Sequence, residues 1–205
     1  MKVLAFDCST ARGSVAVVEG GAAVFAETFE CPRGRGGAFF QVLDRAIKTA
    51  GKPDRIVVGV GPGSYNGLRA AISAAEGLRL ATGADLAGVA SVRALPCDAA
   101  EYAVVNDVRG DTYCFVKIRG RVVAREIELL DARSVAVRVA AERGPVFTSS
   151  PIAFLPVAAV AFPDAGILAR MGAAGAPSNR PLEPLYLKPA HITRPKRTGL
   201  LPRDK

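Results

Sequence analysis

Lys2-Val3-Leu4-Ala5-Phe6-Asp7-Cys8-Ser9-Thr10 opens the chain, and this stretch, taken with the two apolar runs behind it, decides the fold. Lys2 to Phe6 is a short apolar run of strand composition. Ser14 to Val18 is a second, and Ala22 to Thr28 a third behind Gly20-Gly21, whose glycines supply the positive φ of a tight hairpin. Three such runs predict a β-meander. Beyond a Pro32 to Gly36 loop, Phe39, Phe40, Leu43, Ile47 and Ala50 recur at helical spacing opposite Asp44, Arg45 and Lys48, and Gly51 supplies a stop. Arg55 to Val60 reads as a strand, Gly61 to Asn66 as a loop, Gly67 to Thr82 as a second helix and Leu86 to Ala90 as another strand. The predicted order is β-β-β-α-β-α-β.

The pattern then starts again. Tyr102 to Asn106, Thr112 to Ile118 and Val122 to Glu128 predict a second meander, turned at Arg119-Gly120, with Asp107 in the place of Asp7. A helix over Ala132 to Arg143, a strand over Pro145 to Thr148 and a last helix over Asp164 to Ala174 complete a second, shortened copy. Two α/β halves related by duplication is the economical reading. The element order resembles two tandem ribonuclease-H-like halves of the sugar kinase/actin/Hsp70 superfamily. The expected division is an N-terminal lobe over 1–99, a smaller lobe over 100–187 and a basic tail over 188–205.

Composition narrows the function classes. Half of the 205 residues are hydrophobic and 22% are charged, so the chain is too apolar to stay disordered. The longest apolar stretch, Ile152 to Phe162, is broken by Pro156, and the apolar run before Asp7 is too short for the h-region of a signal peptide, so no membrane span or signal peptide is predicted and a cytoplasmic location is expected. Cys8, Cys31, Cys97 and Cys114 form no C-x-x-C pair and are expected as reduced thiols. The formal net charge is +8, and Lys188 to Lys205 carries six basic groups against Asp204. Such a tail is either a solvated terminus or an attractor of RNA phosphates.

The stretch Gly59-Val60-Gly61-Pro62-Gly63-Ser64-Tyr65-Asn66-Gly67-Leu68-Arg69 is a strand, a glycine loop and a helix start in succession. It lacks the Gly-Lys-Ser/Thr ending of a P-loop, and its glycine spacing is one residue too long for a dinucleotide fingerprint. It is either a turn capped by Ser64 or Asn66 or a functional loop. Ala70, Ala71, Ser73, Ala74, Ala75, Gly77, Leu78 and Ala81 on the second helix leave a face of small residues that suits close approach, by the chain's own elements or by another subunit. Asp7, with Ser9 and Thr10, and Asp107 lie where two carboxylates and two hydroxyls could face one cleft and hold Mg·ATP; capping of their own turns is the other reading. His191 is the only histidine, so a paired-His metal site of a peptidase is excluded and a His-based triad is poorly supplied.

Several of these motifs together resemble the TsaB (YeaZ) family: Leu4 to Thr10, Gly61 to Arg69 followed by Glu76-Gly77-Leu78, Gly88-Val89-Ala90-Ser91, Asp107-Val108-Arg109-Gly110-Asp111-Thr112-Tyr113, and Pro184-Leu185-Tyr186-Leu187. The chain departs from that family at Gly36-Gly37-Ala38, where a His-Ser pair is usual, and at Phe147-Thr148-Ser149-Ser150, where a Gly-Asp-Gly-like segment is usual. The resemblance implies a non-catalytic partner in making threonylcarbamoyladenosine on tRNA. It would bind a TsaD-like transferase, be joined by a TsaE-like ATPase, reach tRNA through the complex, and self-associate as a homodimer through the same face. That face would comprise Phe39, Phe40, Leu43 and Ile47 of the first helix with Gly63, Ser64, Asn66, Gly67, Arg69, Ala70, Ala74, Gly77 and Leu78 of the loop and second helix. No cofactor is expected on the chain alone; ATP or ADP with Mg²⁺ would belong to the complex interface, near Asp7, Ser9, Thr10 and Asp107. The alternative is an ATP- and Mg²⁺-dependent phosphotransferase or hydrolase of the actin-like fold.

Overall fold

The computed structural model describes residues 1–31, 37–175 and 181–188. Strands β1 (Lys2–Asp7), β2 (Arg12–Glu19) and β3 (Ala22–Glu30) form the expected meander, followed by α1 (Gly37–Ala50), β4 (Arg55–Gly59), α2 (Tyr65–Thr82) and β5 (Asp85–Val89). These strands make one sheet in the order β3-β2-β1-β4-β5, antiparallel within the meander and parallel from β1 to β5. The second half supplies β6 (Glu101–Asp107), β7 (Tyr113–Arg119), β8 (Val122–Val123), β9 (Glu128–Leu130), α3 (Ala132–Ala140), β10 (Val146–Thr148), β11 (Ala159–Val160) and α4 (Ala165–Ala174). Its sheet runs β11-β10-β6-β7-β8, with β9 also on β7. Substituting β6, β7, β8, β10 and β11 for β1, β2, β3, β4 and β5 reproduces the first order, so the two sheets share one topology. The fold is α/β, two ribonuclease-H-like halves of actin-like architecture, the second shortened.

β1 is buried along nearly its whole length because both faces of the first sheet are covered, which is why it reads as an unbroken apolar run. Leu4, Phe6, Val15, Val17, Ile56, Val58 and Leu86 point to one face, where Phe39, Val42, Leu43 and Ala46 of α1 and Ala71, Ile72 and Ala75 of α2 meet them. Val3, Ala5, Ala16, Val18, Val57, Ala87 and Val89 point to the other. That second face is covered by α4, through Ala165, Leu168 and Ala169. The approach is close enough that a Cβ on Gly172 would overlap Val57. Asp164 caps the helix, its Oδ1 accepting from the Ile167 N–H at 2.8 Å. The Arg55 side chain holds the other end, donating to the Gly172 carbonyl at 2.9 Å and the Gly175 carbonyl at 2.7 Å, with Asp85 at 3.2 Å.

The last helix was expected within the lobe over 100–187, yet its packing partner is the sheet of residues 1–99. The exchange is mutual. The 3-10 turn Ser91–Ala94 that comes after β5 sends Val92 and Leu95 onto the second sheet, beside Tyr102, Val104, Val116 and Ile118. Tyr102 donates its hydroxyl to the Val92 carbonyl at 2.8 Å, and Arg121 donates to the carbonyls of Arg93, Leu95 and Cys97. The two crossing segments touch where the Asp164 N–H donates to the Ala94 carbonyl at 2.9 Å.

Two local expectations change. The strand predicted over Val122 to Glu128 is split into β8 and β9, because the chain bows out at exposed Arg125 and Glu126 before returning to β7. The apolar stretch at Ile152 to Phe162 contains the short edge strand β11 between Pro156 and Pro163, which was not predicted. No helix lies between β10 and β11, where the first half has α2. Among the described residues, no helix is long and apolar enough to cross a membrane.

Candidate docking face and inter-lobe cleft

The glycine stretch leaves β4, turns at Gly61 and enters α2, and its backbone is held from two sides. The Gly61 N–H donates to Ser91 Oγ at 2.9 Å, and the Ser64 N–H donates to the Ser9 carbonyl at 2.7 Å. A Cβ on Gly63 would overlap the Ser9 carbonyl and one on Gly67 the Cys8 carbonyl, so both glycines are fixed by the approach of α2 to the β1–β2 turn. Ser64 is the cap, accepting from the Gly67 N–H at 3.3 Å; Asn66 stands exposed. The cap is therefore Ser64 and not Asn66.

The expected docking residues divide into an inner and an outer set. Phe39 and Leu43 are buried, with the Phe39 ring centroid 5.4 Å from Phe6 and 6.0 Å from Phe29, so their apolar surface faces the sheet. Ile47, Ala70, Ala74 and Leu78 are half-buried at the helix flanks. Phe40 is 51% exposed, and Asn66, Arg69 and Gly77 are exposed. Nothing approaches the position of a Gly77 Cβ, so that glycine leaves an open notch in the outer surface of α2. Leu80 is 78% exposed and escaped the sequence reading. Its signal was present: Leu68, Ala71, Ile72 and Ala75 define the inner face, and Leu80 is an apolar residue outside that stripe.

Two motifs separated by more than a hundred residues meet at the start of α2. The Leu185 N–H donates to the Val60 carbonyl at 2.8 Å, and Tyr186 stacks on Tyr65 at 4.5 Å. Arg69 lies over the other partner of this stack, 5.4 Å from the Tyr65 centroid. Lys188 then reaches across to the second half, donating to the Arg109 carbonyl at 2.9 Å. The remainder of the basic tail, with His191, lies outside the described residues, as does Gly36.

Asp7 is fully buried. Its Oδ1 accepts from the Ser9 N–H at 2.8 Å and the Ser9 hydroxyl at 2.6 Å, an Asx turn at the end of β1. Its Oδ2 has no donor among the described residues and presses against Gly59. Burial pushes the carboxyl above the ordinary carboxylate range, against the opposite pull of the Ser9 and Ser91 hydroxyls and the Ser9 amide. Ser9 and Thr10 line a cavity between the halves together with Ser91, Asn106 and Ser149. Asp107 does not line it; it is exposed and accepts from the Arg109 N–H at 2.6 Å. The four residues expected around a nucleotide are therefore not gathered into one site.

Volume decides what the cleft can hold. The cavity measures about 10 Å³, close to the minimum for one water molecule and far below the roughly 300 Å³ of a small-molecule pocket. The Ser149 N–H donates to Asn106 Oδ1 at 2.7 Å across the second-half wall. These residues do not fit a Mg²⁺-nucleotide. Among the described residues no group of three or more His, Cys, Asp or Glu side chains is placed to hold a metal ion.

Solved structures share this fold. YeaZ from Pseudomonas aeruginosa is similar at 25% identity and a TM-score of 0.69, covering 91% of this chain and 99% of that one. A second Pseudomonas aeruginosa structure, of a protein described as having similarity to the peptidase YeaZ, gives 25% identity and a TM-score of 0.74 over the same shares. The chain is YeaZ-like. The family model for TsaD, tRNA N6-adenosine threonylcarbamoyltransferase, matches residues 37–108. That match begins at α1 and runs through β4, α2 and β5 to the end of β6, so it contains both helices of the outer face of this YeaZ-like chain. No curated protein sequence matches.

Proposed function

We propose that this chain is a non-catalytic scaffold subunit in the threonylcarbamoyladenosine modification of tRNA, and that it docks a TsaD-like transferase through the outer face of α1 and α2. The observation that carries this reading is the coincidence of that face with the transferase-like segment 37–108 in a chain that is YeaZ-like along its length. Related surfaces pair readily about a pseudo-two-fold axis, each presenting the same patch to the other. Phe40 and Leu80 supply exposed apolar anchors, and the Gly77 notch admits a partner helix. The same face serves a homodimer of the free chain, which the transferase displaces. The TsaE-like ATPase and tRNA join through the complex. The water-sized cleft supports a scaffold role over nucleotide turnover by the free chain.

Size-exclusion chromatography with light scattering, on the chain alone and mixed with the TsaD-like protein of the same source, tests this directly. A 1:1 species is expected with the wild type. Gly77→Glu is expected to abolish that species while the variant remains folded, since its side chain has open space. Full complex formation by Gly77→Glu and by Leu80→Glu overturns the docking face; no complex with the wild type overturns the scaffold role.

A further inference from the structure

Leu182 to Lys188 cross from the first half to the second. Leu182 packs against the core under α1 and α2, the Leu185 N–H is held by the Val60 carbonyl at 2.8 Å, and the Tyr186 ring lies on Tyr65. Lys188 ends the crossing on the Arg109 carbonyl at 2.9 Å. Two properties of this end are not used by the docking face. The first is an open ring: Tyr186 is 43% exposed, and among the described residues no second aromatic or cationic group lies over it. The second is charge. Asp107 and Asp111 stand exposed in the turn that carries exposed Arg109, and Glu183 is exposed beside Lys188's own segment, so the described surface here is balanced. The sequence beyond it is not. Arg194, Lys196, Arg197, Arg203 and Lys205 are opposed only by Asp204, a net +4 that is half of the formal +8. The contact of Lys188 with Arg109 therefore fixes where that charge is tethered, next to an open aromatic ring.

We propose that this end of the chain is a direct contact for an unpaired stretch of RNA, one base stacking on Tyr186 while phosphates meet Lys188, Arg109 and the basic residues that follow. Unpaired RNA combines the two features this end recognises. Each base presents a π-face to a tyrosine ring, and each nucleotide brings a phosphate to lysine and arginine. Duplex RNA keeps its base faces stacked away and meets only the charge. A lipid surface needs an apolar face as well as charge, and residues 189–205 offer Ile192, Leu200 and Leu201 as their only large aliphatic side chains. The inference rests on the scaffold reading for tRNA as the RNA concerned; the contact chemistry itself needs no transferase.

Fluorescence anisotropy tests it, with the full chain alone and a fluorescein-labelled unpaired RNA of about 12 nucleotides, over about 50–200 mM salt. The wild type is expected to bind with a Kd of about 1–100 μM at physiological salt, weakening as salt rises. Ending the chain at Leu187 removes six basic groups and leaves Leu182, Leu185 and Tyr186 in place. That variant is expected to lose at least about tenfold in affinity at 50 mM salt and up to about 4 in the slope of log K against log salt concentration. Tyr186→Ala is expected to bind the single strand about fivefold or more weakly with the slope unchanged, and to bind the same sequence as a duplex like the wild type; Tyr186→Phe keeps both affinities. The proposal is overturned if the wild type binds no RNA, if truncation leaves the slope unchanged, or if Tyr186→Ala has no effect on the single strand or weakens the duplex equally. Displacement of the RNA by polyglutamate at equal charge overturns it too. Size-exclusion chromatography with the TsaD-like protein separates the two readings: a 1:1 complex formed by a chain that ignores RNA overturns this contact alone, and RNA binding by a chain that ignores the transferase overturns the scaffold role alone.

Discussion

The two halves share a strand order and differ in how their sheets are covered. The first sheet has α1 and α2 on one face and α4 on the other, and its central strand is buried from Val3 to Asp7. The second has α3 alone among helices, a turn region in place of a second helix, and the borrowed residues Val92 and Leu95 on its inner face. Each half covers the other's inner face with the segment that leaves its own last strand. In both cases an arginine of the receiving half fastens the visitor by its carbonyls: Arg55 holds the end of α4, and Arg121 holds residues 93–97. The difference is in depth, since Arg55 is buried and Arg121 half-buried. The more deeply buried anchor is therefore in the first half.

Removing the deepest contact breaks this asymmetry most strongly. Leu168→Ala, on the face of α4 against the first sheet, is expected to cost about 3 kcal/mol in urea denaturation; loss only within the second half would contradict the packing of α4. The two arginines come next. Arg55→Ala should cost about 2 kcal/mol by leaving buried carbonyls unpaired, and Arg121→Ala about 1 kcal/mol. Equal values, or the reverse order, would argue that both halves are anchored to the same depth.

Asp7 sharpens the comparison by pH. Its folded pKa lies above its unfolded value, so the folded state holds the proton more tightly and this group's contribution to stability is lost as pH rises through the folded pKa. Asp7→Asn keeps the Ser9 hydrogen bonds without ionising. The stability of Asp7→Asn relative to wild type should therefore fall as pH is lowered from 7.5 to 5, by at most about 1.4 kcal/mol per pH unit. A flat difference would mean that the carboxyl ionises freely inside the fold. Smallest is Gly77→Ala, expected to raise stability by about 0.5–1 kcal/mol through helix propensity at an exposed position. A lower melting temperature would show that the notch is packed in the free protein.

The element order, the first meander and the cap at Ser64 were legible because alternation, glycine turns and helix stops are local signals. The destination of α4 was not. Ala165, Leu168 and Ala169 declare an apolar face without saying which sheet it covers, and its partners lie more than seventy residues upstream. The site behaved similarly. Residue type marked Asp7 and Asp107 as equivalent through the repeat, but only packing shows one sealed under Gly59 and the other in solvent. Phe39 and Phe40 are adjacent and chemically identical, and only the rotation of α1 sends one into the core and the other outward.

The exchange of covering segments also bears on inheritance. A chain ending at residue 99 would expose Val3, Ala5, Val57, Ala87 and Val89 as one apolar face, and a chain beginning at residue 100 would carry an α4 with nothing to cover. Because each half is closed by a segment of the other, neither can be removed, nor replaced by a half that keeps its own closing segment, without baring an apolar face. Recombination breakpoints near residue 99 should be lethal to the fold, whereas the duplicated strand order on either side remains free to diverge.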